Sequence, residues 1–195
     1  MYLVLEGIDG SGTTVHSKLL AEALKAEWSC RPSQSDLGKL IRATLKSERM
    51  HSNESLGHLF VADHLESEVR EVLPCEGSLV LDRWITSTFV YQRDVLNWPE
   101  LVNDVLQWMV CPTAIIYLKI DPEIALRRIT ERGEPLEKFE RLDTLRRMTQ
   151  NYEDVFALLR EVADLPIWTF DTAELSIEEV HKQIMEKVQA VTIQP

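Results

Sequence analysis

The first twenty residues, MYLVLEGIDGSGTTVHSKLL (Met1 to Leu20), decide the fold of this 195-residue chain. An apolar run, MYLVLE, leads into a glycine-rich turn, and apolar side chains then recur at helical spacing from Val15 to Leu24. This order predicts a buried β-strand, then a loop, then a helix whose positive end faces the loop. Such a loop is suited to binding phosphate.

The loop fits the pattern G-x-x-x-x-G-x-[ST], whose glycines let backbone amides turn inward around a phosphate. Thr14 supplies a hydroxyl that we expect to ligate Mg²⁺, whereas Thr13 stands where such loops carry a lysine. Threonine brings no charge, so either another cation reaches the terminal phosphates or phosphoryl transfer is slow. An incidental tight turn is the alternative interpretation. The residues predicted to contact ATP here are Gly7, Gly10, Ser11, Gly12, Thr13 and Thr14.

The rest of the chain alternates between strand-like apolar runs and helical patterns. Buried strands are predicted at 78–82, 113–119 and 167–170, and EWSCRP (27–32) is the weakest candidate for a strand. Helices are predicted at 36–46, 52–73 (capped at Ser52 or Asn53), 122–132 and 176–189. The alternation predicts an α/β fold with a parallel sheet and helices on both faces. With no repeat or Gly/Ser linker, we expect one domain over residues 1–195.

Composition narrows the class of protein. The formal net charge of −11 argues against a protein that grips a nucleic-acid polymer, but a small phosphorylated ligand needs only a local cationic pocket. No apolar run approaches the roughly 18–20 residues of a membrane span, and the first residues lack the pattern of a signal peptide. The three cysteines show no metal-binding spacing, so we expect free thiols and a cytoplasmic protein.

Six blocks of sequence, in order, resemble one known family. They are LEGIDGSG, DLGKLIRATL, LFVADH, LDRWITSTFVYQ, YLKIDPEIALRRITERGE and KFERLDTLRRMTQNY. Together they resemble the thymidylate kinases, which are P-loop nucleoside monophosphate kinases, and the match is collinear from Tyr2 to about Val188. The resemblance implies a five-stranded parallel sheet in a three-layer α/β/α arrangement, a mobile lid at about residues 128–140, and usually a homodimer. It also implies Mg²⁺ and transfer of the ATP γ-phosphoryl to dTMP or a related pyrimidine deoxynucleoside monophosphate.

The resemblance assigns roles around the phosphate acceptor. Asp9 matches a carboxylate near the acceptor's sugar and a partner arginine, Arg83 matches the residue that grips the acceptor phosphate, and Asp82 is a candidate for holding Mg²⁺ through water. A turn-forming Asp9 and a purely structural Asp82–Arg83 pair are the alternatives. Further residues matched to the acceptor site are Arg31, Arg42, Phe60, His64, Ser87, Tyr91 and Gln92, although Phe60 also suits an ordinary core position.

The segment RRITERGE matches the lid. Arg128, predicted to bind ATP, and Arg132, predicted to be catalytic, are the arginines expected to close over the phosphates, where a guanidinium binds oxygens in pairs. A solvated helix laced with ion pairs is the alternative interpretation.

Four residues depart from the family pattern. They are Thr13 for lysine, His64 for arginine, Trp84 for tyrosine and Lys119 for aspartate. The main hypothesis is an active kinase in which lid arginines do part of the lysine's work. A catalytically silent nucleotide-binding protein is the second hypothesis. The third is a kinase for a modified pyrimidine nucleotide or a base within DNA, and the negative charge disfavours DNA.

Overall fold

A computed structural model describes residues 1–46, 52–133 and 139–192 of the chain. Its strands are β1 (Tyr2–Glu6), β2 (Glu27–Cys30), β3 (Leu79–Asp82), β4 (Ala114–Lys119) and β5 (Ile167–Asp171). They form one sheet in the order β2-β3-β1-β4-β5, and every neighbouring pair is parallel. The predicted five-stranded parallel α/β fold is therefore confirmed.

The helices connect these strands and cover both faces of the sheet. They are α1 (Thr13–Leu24), α2 (Asp36–Lys46), α3 (Asn53–Ser67), α4 (Ile85–Tyr91), α5 (Trp98–Leu106), α6 (Pro122–Glu131), α7 (Leu142–Ala163) and α8 (Ile177–Thr192). The Ser52 hydroxyl caps α3 by accepting a hydrogen bond from the Ser55 amide. A π-helical turn, Glu68–Val72, follows α3, so the helix predicted over 52–73 is confirmed in two segments.

The core lies in two layers because successive residues of a buried strand face opposite sides of the sheet. Val4 of β1 joins apolar residues of α4, α5, α6 and α7 on one face. Leu3 and Leu5 join residues of α1 and α8 on the other face. The central strand is therefore buried throughout and apolar from Tyr2 to Leu5, which is the pattern that the sequence showed.

The weak second strand is an edge strand. β2 pairs with β3 alone, and its residues are exposed or only half-buried. An edge strand need not be apolar on both faces, so EWSCRP carries little strand signal although the strand exists.

The predicted site residues that follow β1 and β3 lie together at the carboxyl ends of these strands. Leu5 of β1 is the register partner of Asp82 of β3, so the glycine loop after β1 lies beside the turn after β3. Open α/β sheets bind ligands at these carboxyl ends. Of the predicted lid, residues 134–138 lie outside the described part of the chain. In that described part, no helix combines the length and apolarity needed to cross a membrane.

Candidate active site

The glycine loop is held tightly between β1 and α6. Gly10 has φ 85°, and a Cβ on it would lie 2.6 Å from the Ala125 carbonyl oxygen of α6. Gly12 has φ 95° and precedes α1, which no side chain of the described residues caps. The first amides of α1 are thus left to bind an anion, as expected of a phosphate-binding loop.

Two oxygen-bearing side chains meet below this loop. The Thr14 hydroxyl donates to Asp82 Oδ2 over 2.5 Å. The other oxygen of that carboxylate, Oδ1, is buried, and none of the described residues hydrogen-bonds to it. Mg²⁺ prefers oxygen ligands, keeps several waters and takes one or two carboxylates from the protein. Thr14 and Asp82, the residues predicted to hold the metal, therefore fit Mg²⁺ in chemistry and position.

The lysine position is filled by a buried side chain. Thr13 is 6% exposed and carries no charge. The nearby Lys18 does not replace the missing cation, because its ammonium lies 4.9 Å from the centre of the Trp28 ring on the outer side of α1. Any cation that reaches the donor phosphates must come from another element.

The two lid arginines lie in different surroundings. The Arg128 guanidinium donates to the carbonyls of Thr172 (2.6 Å) and Ala173 (3.3 Å). Thr172 in turn donates to the Ser11 carbonyl, so Arg128 lies beside the glycine loop, fixed to the segment after β5. Arg132 is different: its side chain is 52% exposed and its guanidinium is 3.8 Å from the Glu140 carboxylate. Arg132 is the less constrained of the two.

Arg83 and Asp9 form an ion pair between the glycine loop and the turn after β3. Arg83 Nη2 donates to Asp9 Oδ1 over 2.7 Å, and Nη1 donates to the Gly7 carbonyl and the Ser87 hydroxyl. The Tyr91 hydroxyl donates to the second oxygen of Asp9 over 3.1 Å. Arg83 has φ 70°, a left-handed conformation that is unfavourable for a residue with a Cβ. Strain of this kind is found mainly at functional sites.

A buried glutamate holds that strained turn in place. Glu6 is fully buried and accepts hydrogen bonds from the Trp84 amide (2.8 Å), the Ser87 amide (3.2 Å), the Ser87 hydroxyl (2.6 Å) and the Tyr152 hydroxyl (2.8 Å). Burial raises the pKa of Glu6, and the positive charge of Arg83 opposes that rise. The carboxylate thereby ties β1, the start of α4 and α7 together directly behind Arg83.

A cavity of about 210 Å³ opens next to this ion pair. Asp9 and Arg83 line it beside the glycine loop, and Phe60 and His64 line it from α3. Tyr91 and Phe139 form another wall, with ring centres 5.2 Å apart and nearly perpendicular planes. The cavity is therefore lined by both charged and aromatic side chains, as a nucleotide requires.

Arg31 is buried at the edge of the cavity. Its Nη1 donates to the Ser29 hydroxyl, the Cys30 carbonyl and the Glu71 carboxylate, the last over 2.8 Å. The Nε of Arg31 is buried and has no hydrogen-bond partner among the described residues. Arg31 thus keeps a buried donor, Nε, that none of the described residues uses.

The segment after Arg31 is shaped by two residues. Asp63, buried in α3, accepts from the Ser33 amide (2.7 Å) and from the Ser33 and Ser35 hydroxyls. Arg42 of α2 donates to the Pro32 and Ser33 carbonyls. These contacts give Arg42 a structural role in this conformation of the chain.

His64 and Gln92 bring uncharged polar groups to the cavity. Their exposed fractions are 2% and 3%, and both line the cavity. Burial, and after it the charge of Arg31, lowers the pKa of His64 well below its ordinary value, so the imidazole is neutral.

Comparison with known proteins identifies the family. The model of the thymidylate kinase family matches residues 5–184. The probable thymidylate kinase of Methanocaldococcus jannaschii is 33% identical over 187 residues, which cover 95% of this chain and 94% of that protein. The chain belongs to the thymidylate kinase family. Thymidylate kinases are nucleoside monophosphate kinases that pass the γ-phosphoryl of ATP to dTMP and release dTDP and ADP.

Further relatives agree with this membership. The putative thymidylate kinase of Aeropyrum pernix is 36% identical across 95% of this chain and 94% of its own length. The solved thymidylate kinase of Candida albicans superposes with a TM-score of 0.80 at 19% identity, covering 98% of this chain and 92% of that one. The enzyme from Ehrlichia chaffeensis superposes with a TM-score of 0.71 at 21% identity, with coverages of 97% and 98%. These two structures share the fold of this chain.

The structure brings most of the predicted acceptor residues to one cavity. Asp9, Arg31, Phe60, His64, Arg83, Ser87, Tyr91 and Gln92 all line it. Trp84 and Lys119 also differ from the residues usual in the family. Trp84 is buried in the core, and Lys119 lies exposed at the end of β4.

Several residues of the site were not predicted from sequence. They are Glu6, Asp63, Glu71, Phe139 and Tyr152. One signal was available for Glu6, since it is an acidic residue at the end of an otherwise apolar strand.

Proposed function

We propose that this chain transfers the γ-phosphoryl of ATP to dTMP or a related pyrimidine deoxynucleoside monophosphate. The observation that carries the proposal is the cavity beside the glycine loop. The Asp9–Arg83 ion pair lies at the junction between the loop and this cavity. An acceptor phosphate placed at that junction would face the donor phosphates held by the loop. The whole chain acts as a single domain in this proposal.

The residues at the junction suit phosphoryl transfer, which needs positioning and positive charge more than covalent chemistry. Arg83 is held by Asp9, Gly7 and Ser87, so its guanidinium is already oriented for an acceptor phosphate. The loop amides and the free end of α1 bind the donor phosphates. Thr14 and Asp82 would hold Mg²⁺, which when bound neutralises charge on the phosphate oxygens.

Arg132 supplies the additional charge that Thr13 lacks. Its exposed guanidinium has a long contact with Glu140, which leaves it available to approach the phosphates when the lid at about 128–140 closes. Arg128 is proposed to act differently, as a fixed wall of the ATP site beside Ser11 and Thr172.

A nucleotide-binding protein without turnover is the second candidate, and Thr13 is the observation that favours it. A lysine at this position would place an ammonium on the donor phosphates, and its loss weakens the electrostatic part of catalysis. The retained ion pair and the Thr14–Asp82 contact favour the active enzyme.

The purified chain with ATP and Mg²⁺ tests both candidates. Formation of dTDP and ADP from dTMP, followed by mass spectrometry, is expected, with no ADP when the acceptor is omitted. Asp94→Asn, at an exposed ion pair with Arg147, is a control that should keep the activity. Tight nucleotide binding without product from any pyrimidine deoxynucleoside monophosphate would support the silent protein.

A homodimer and a cytoplasmic location belong to the same proposal. Trp108 is 73% exposed, and Val69 and Leu73 are also exposed apolar side chains. The Val110 amide donates to the Glu68 carboxylate, so the segments that carry these side chains lie against each other. Exposed apolar patches mark protein contacts. The three free cysteines suit a reducing compartment. Light scattering should show a dimer that Trp108→Glu weakens, and a monomeric parent chain would refute the assignment.

A further inference from the structure

Four buried polar atoms around the cavity have no hydrogen-bond partner within the described residues. They are Arg31 Nε, His64 Nδ1, Thr88 Oγ1 and Gln92 Nε2, and all four residues line the cavity. Buried polar groups in folded proteins are almost always paired, with protein or with ordered water. Because these four atoms belong to residues that line one cavity, they are candidates to hydrogen-bond a polar ligand that binds there.

Three of these four residues can exchange hydrogen-bond donor for acceptor: the Thr88 hydroxyl by rotation, and His64 and Gln92 in a way that suits a planar base. A neutral imidazole carries one donor and one acceptor nitrogen, and its tautomer decides which is which. The amide of Gln92 presents oxygen or nitrogen depending on its rotation. Burial and the charge of Arg31 lower the pKa of His64, which keeps the ring in the neutral form that permits this exchange. An arginine at position 64 would offer donors alone.

The pyrimidine bases differ in which of two adjacent positions, C4 and N3, carries the hydrogen-bond donor and which carries the acceptor. A 4-oxo pyrimidine presents an acceptor at C4 and a donor at N3. A 4-amino pyrimidine presents a donor at C4 and an acceptor at N3. A wall with two exchangeable groups can match either pattern by changing the tautomer of one group and the rotation of the other.

We propose that His64 and Gln92 read the polar edge of the base, and that the chain consequently phosphorylates both 4-oxo and 4-amino pyrimidine deoxynucleoside monophosphates. This inference rests on the proposed kinase function and extends it to a second substrate class. His64 is a specificity-determining residue in this view, and its imidazole widens the substrate range that a guanidinium would narrow.

The matched pair dTMP and 5-methyl-dCMP tests the substrate range, because both carry the 5-methyl group and they differ at C4 and N3. Steady-state assays should give kcat/KM values within about tenfold of each other for the parent chain. A site that hydrogen-bonds one pattern through fixed groups would reject the other by about 10⁴-fold or more.

His64→Arg tests the assigned residue. The variant should keep activity on dTMP within about tenfold and lose roughly 100-fold on 5-methyl-dCMP, because the arginine then meets the 4-amino donor with another donor. His58→Arg, an exposed histidine on the same helix, makes the same chemical change outside the cavity and should leave the ratio unchanged. His64→Asn, which keeps an exchangeable group, should preserve the dual activity and serves if His64→Arg fails to fold.

The outcomes separate this inference from the proposed function. Activity on dTMP with more than about tenfold weaker activity on 5-methyl-dCMP would overturn the inference and leave the kinase standing. An unchanged ratio in His64→Arg would remove His64 as the reader of the base. No product from either monophosphate would refute the proposed function itself.

Discussion

Arg83 Nη2 donates to Asp9 Oδ1 over 2.7 Å, and this contact joins the glycine loop to the turn after β3. The two residues are 74 positions apart in the chain. The parallel pairing of β1 and β3 brings their carboxyl ends side by side, which is what allows the contact to form. The ion pair is thus a product of sheet topology, and the following experiments probe what depends on it.

Replacing Arg83 should reverse the usual order of alanine and glycine. Its φ of 70° penalises any residue with a Cβ by about 1 kcal/mol, and glycine adopts this conformation freely. Arg83→Gly should therefore unfold at a higher urea concentration than Arg83→Ala, although both lose activity by about 10³-fold. Equal urea midpoints for the two variants would show that the turn relaxes when the guanidinium is removed.

Glu6→Gln should destabilise the protein and impair catalysis together. The Trp84 and Ser87 amides donate to one oxygen of Glu6, and the Ser87 and Tyr152 hydroxyls donate to the other. Glutamine would replace that second oxygen with an NH₂ group, so both hydroxyls would have to turn and accept, and the negative charge facing Arg83 would be lost. We expect the free energy of unfolding to fall by about 2–3 kcal/mol. Urea unfolding and the dTMP assay measure the two effects, and Glu22→Gln on the exposed side of α1 is the control. A stable, fully active Glu6→Gln would contradict the supporting role given to this carboxylate.

Thr13→Lys should restore the missing charge and raise kcat/KM for ATP by about tenfold, which corresponds to about 1.4 kcal/mol. The gain is expected because the side chain enters a loop that otherwise fits its pattern. Ala23→Lys adds the same charge to an exposed position of α1 and should leave kcat/KM unchanged. A fall in activity would mean that the cations already present occupy the lysine's place.

Thr14 and Asp82 should act as one unit in binding Mg²⁺. Thr14→Val and Asp82→Asn should each raise the Mg²⁺ concentration needed for half-maximal rate, because each removes an oxygen-based contact of the pair. The double variant should be affected less than the sum of the single changes in free energy. Thr14→Ser keeps the hydroxyl and should resemble the parent. Strictly additive effects would separate the two residues.

A buried histidine behind the glycine loop should make folding sensitive to acid. Burial, and then the nearby His181 and Arg128, lowers the pKa of His16 to about 4. Between about pH 6.5 and pH 4 the unfolded chain binds a proton at this residue that the folded chain does not. The free energy of unfolding therefore decreases as the pH is lowered through this range.

His16→Gln isolates this effect. Relative to the parent, the variant should gain up to about 3 kcal/mol of stability on going from about pH 7 to about pH 4, because glutamine does not titrate. Urea unfolding at several pH values measures the difference, and His58→Gln at an exposed site is the control. Parallel pH profiles for parent and His16→Gln would disprove the assignment.

Sequence predicts those parts of the fold that local pattern determines. The strand, glycine loop and helix from Tyr2 to Leu24 follow from apolar runs and helical spacing, and the order of strands and helices follows from their alternation. α4 is different, because its sequence ITSTFVY is rich in β-branched residues that favour strands. Its start is fixed by the carboxylate of Glu6, which accepts from the Trp84 and Ser87 amides across some 80 positions of sequence. No local pattern contains that contact.

The residues of the site also fall into two groups: those that local sequence predicts and those that depend on tertiary packing. The glycine loop and the pairing of a carboxylate with an arginine can be expected from motifs, since they depend on short spacings and on strand ends. The Arg31–Glu71 ion pair and the Asp63 contacts with Ser33 depend on how α3 packs against the segment after β2. Those distances are tertiary, so residue type alone cannot assign them.

The left-handed backbone at Arg83 also has a consequence for the evolution of the chain. A lineage released from phosphoryl transfer would profit from glycine or asparagine at this position, since either relieves the torsional penalty at once. An arginine at a position that the backbone disfavours indicates that its guanidinium has a function that offsets the torsional strain.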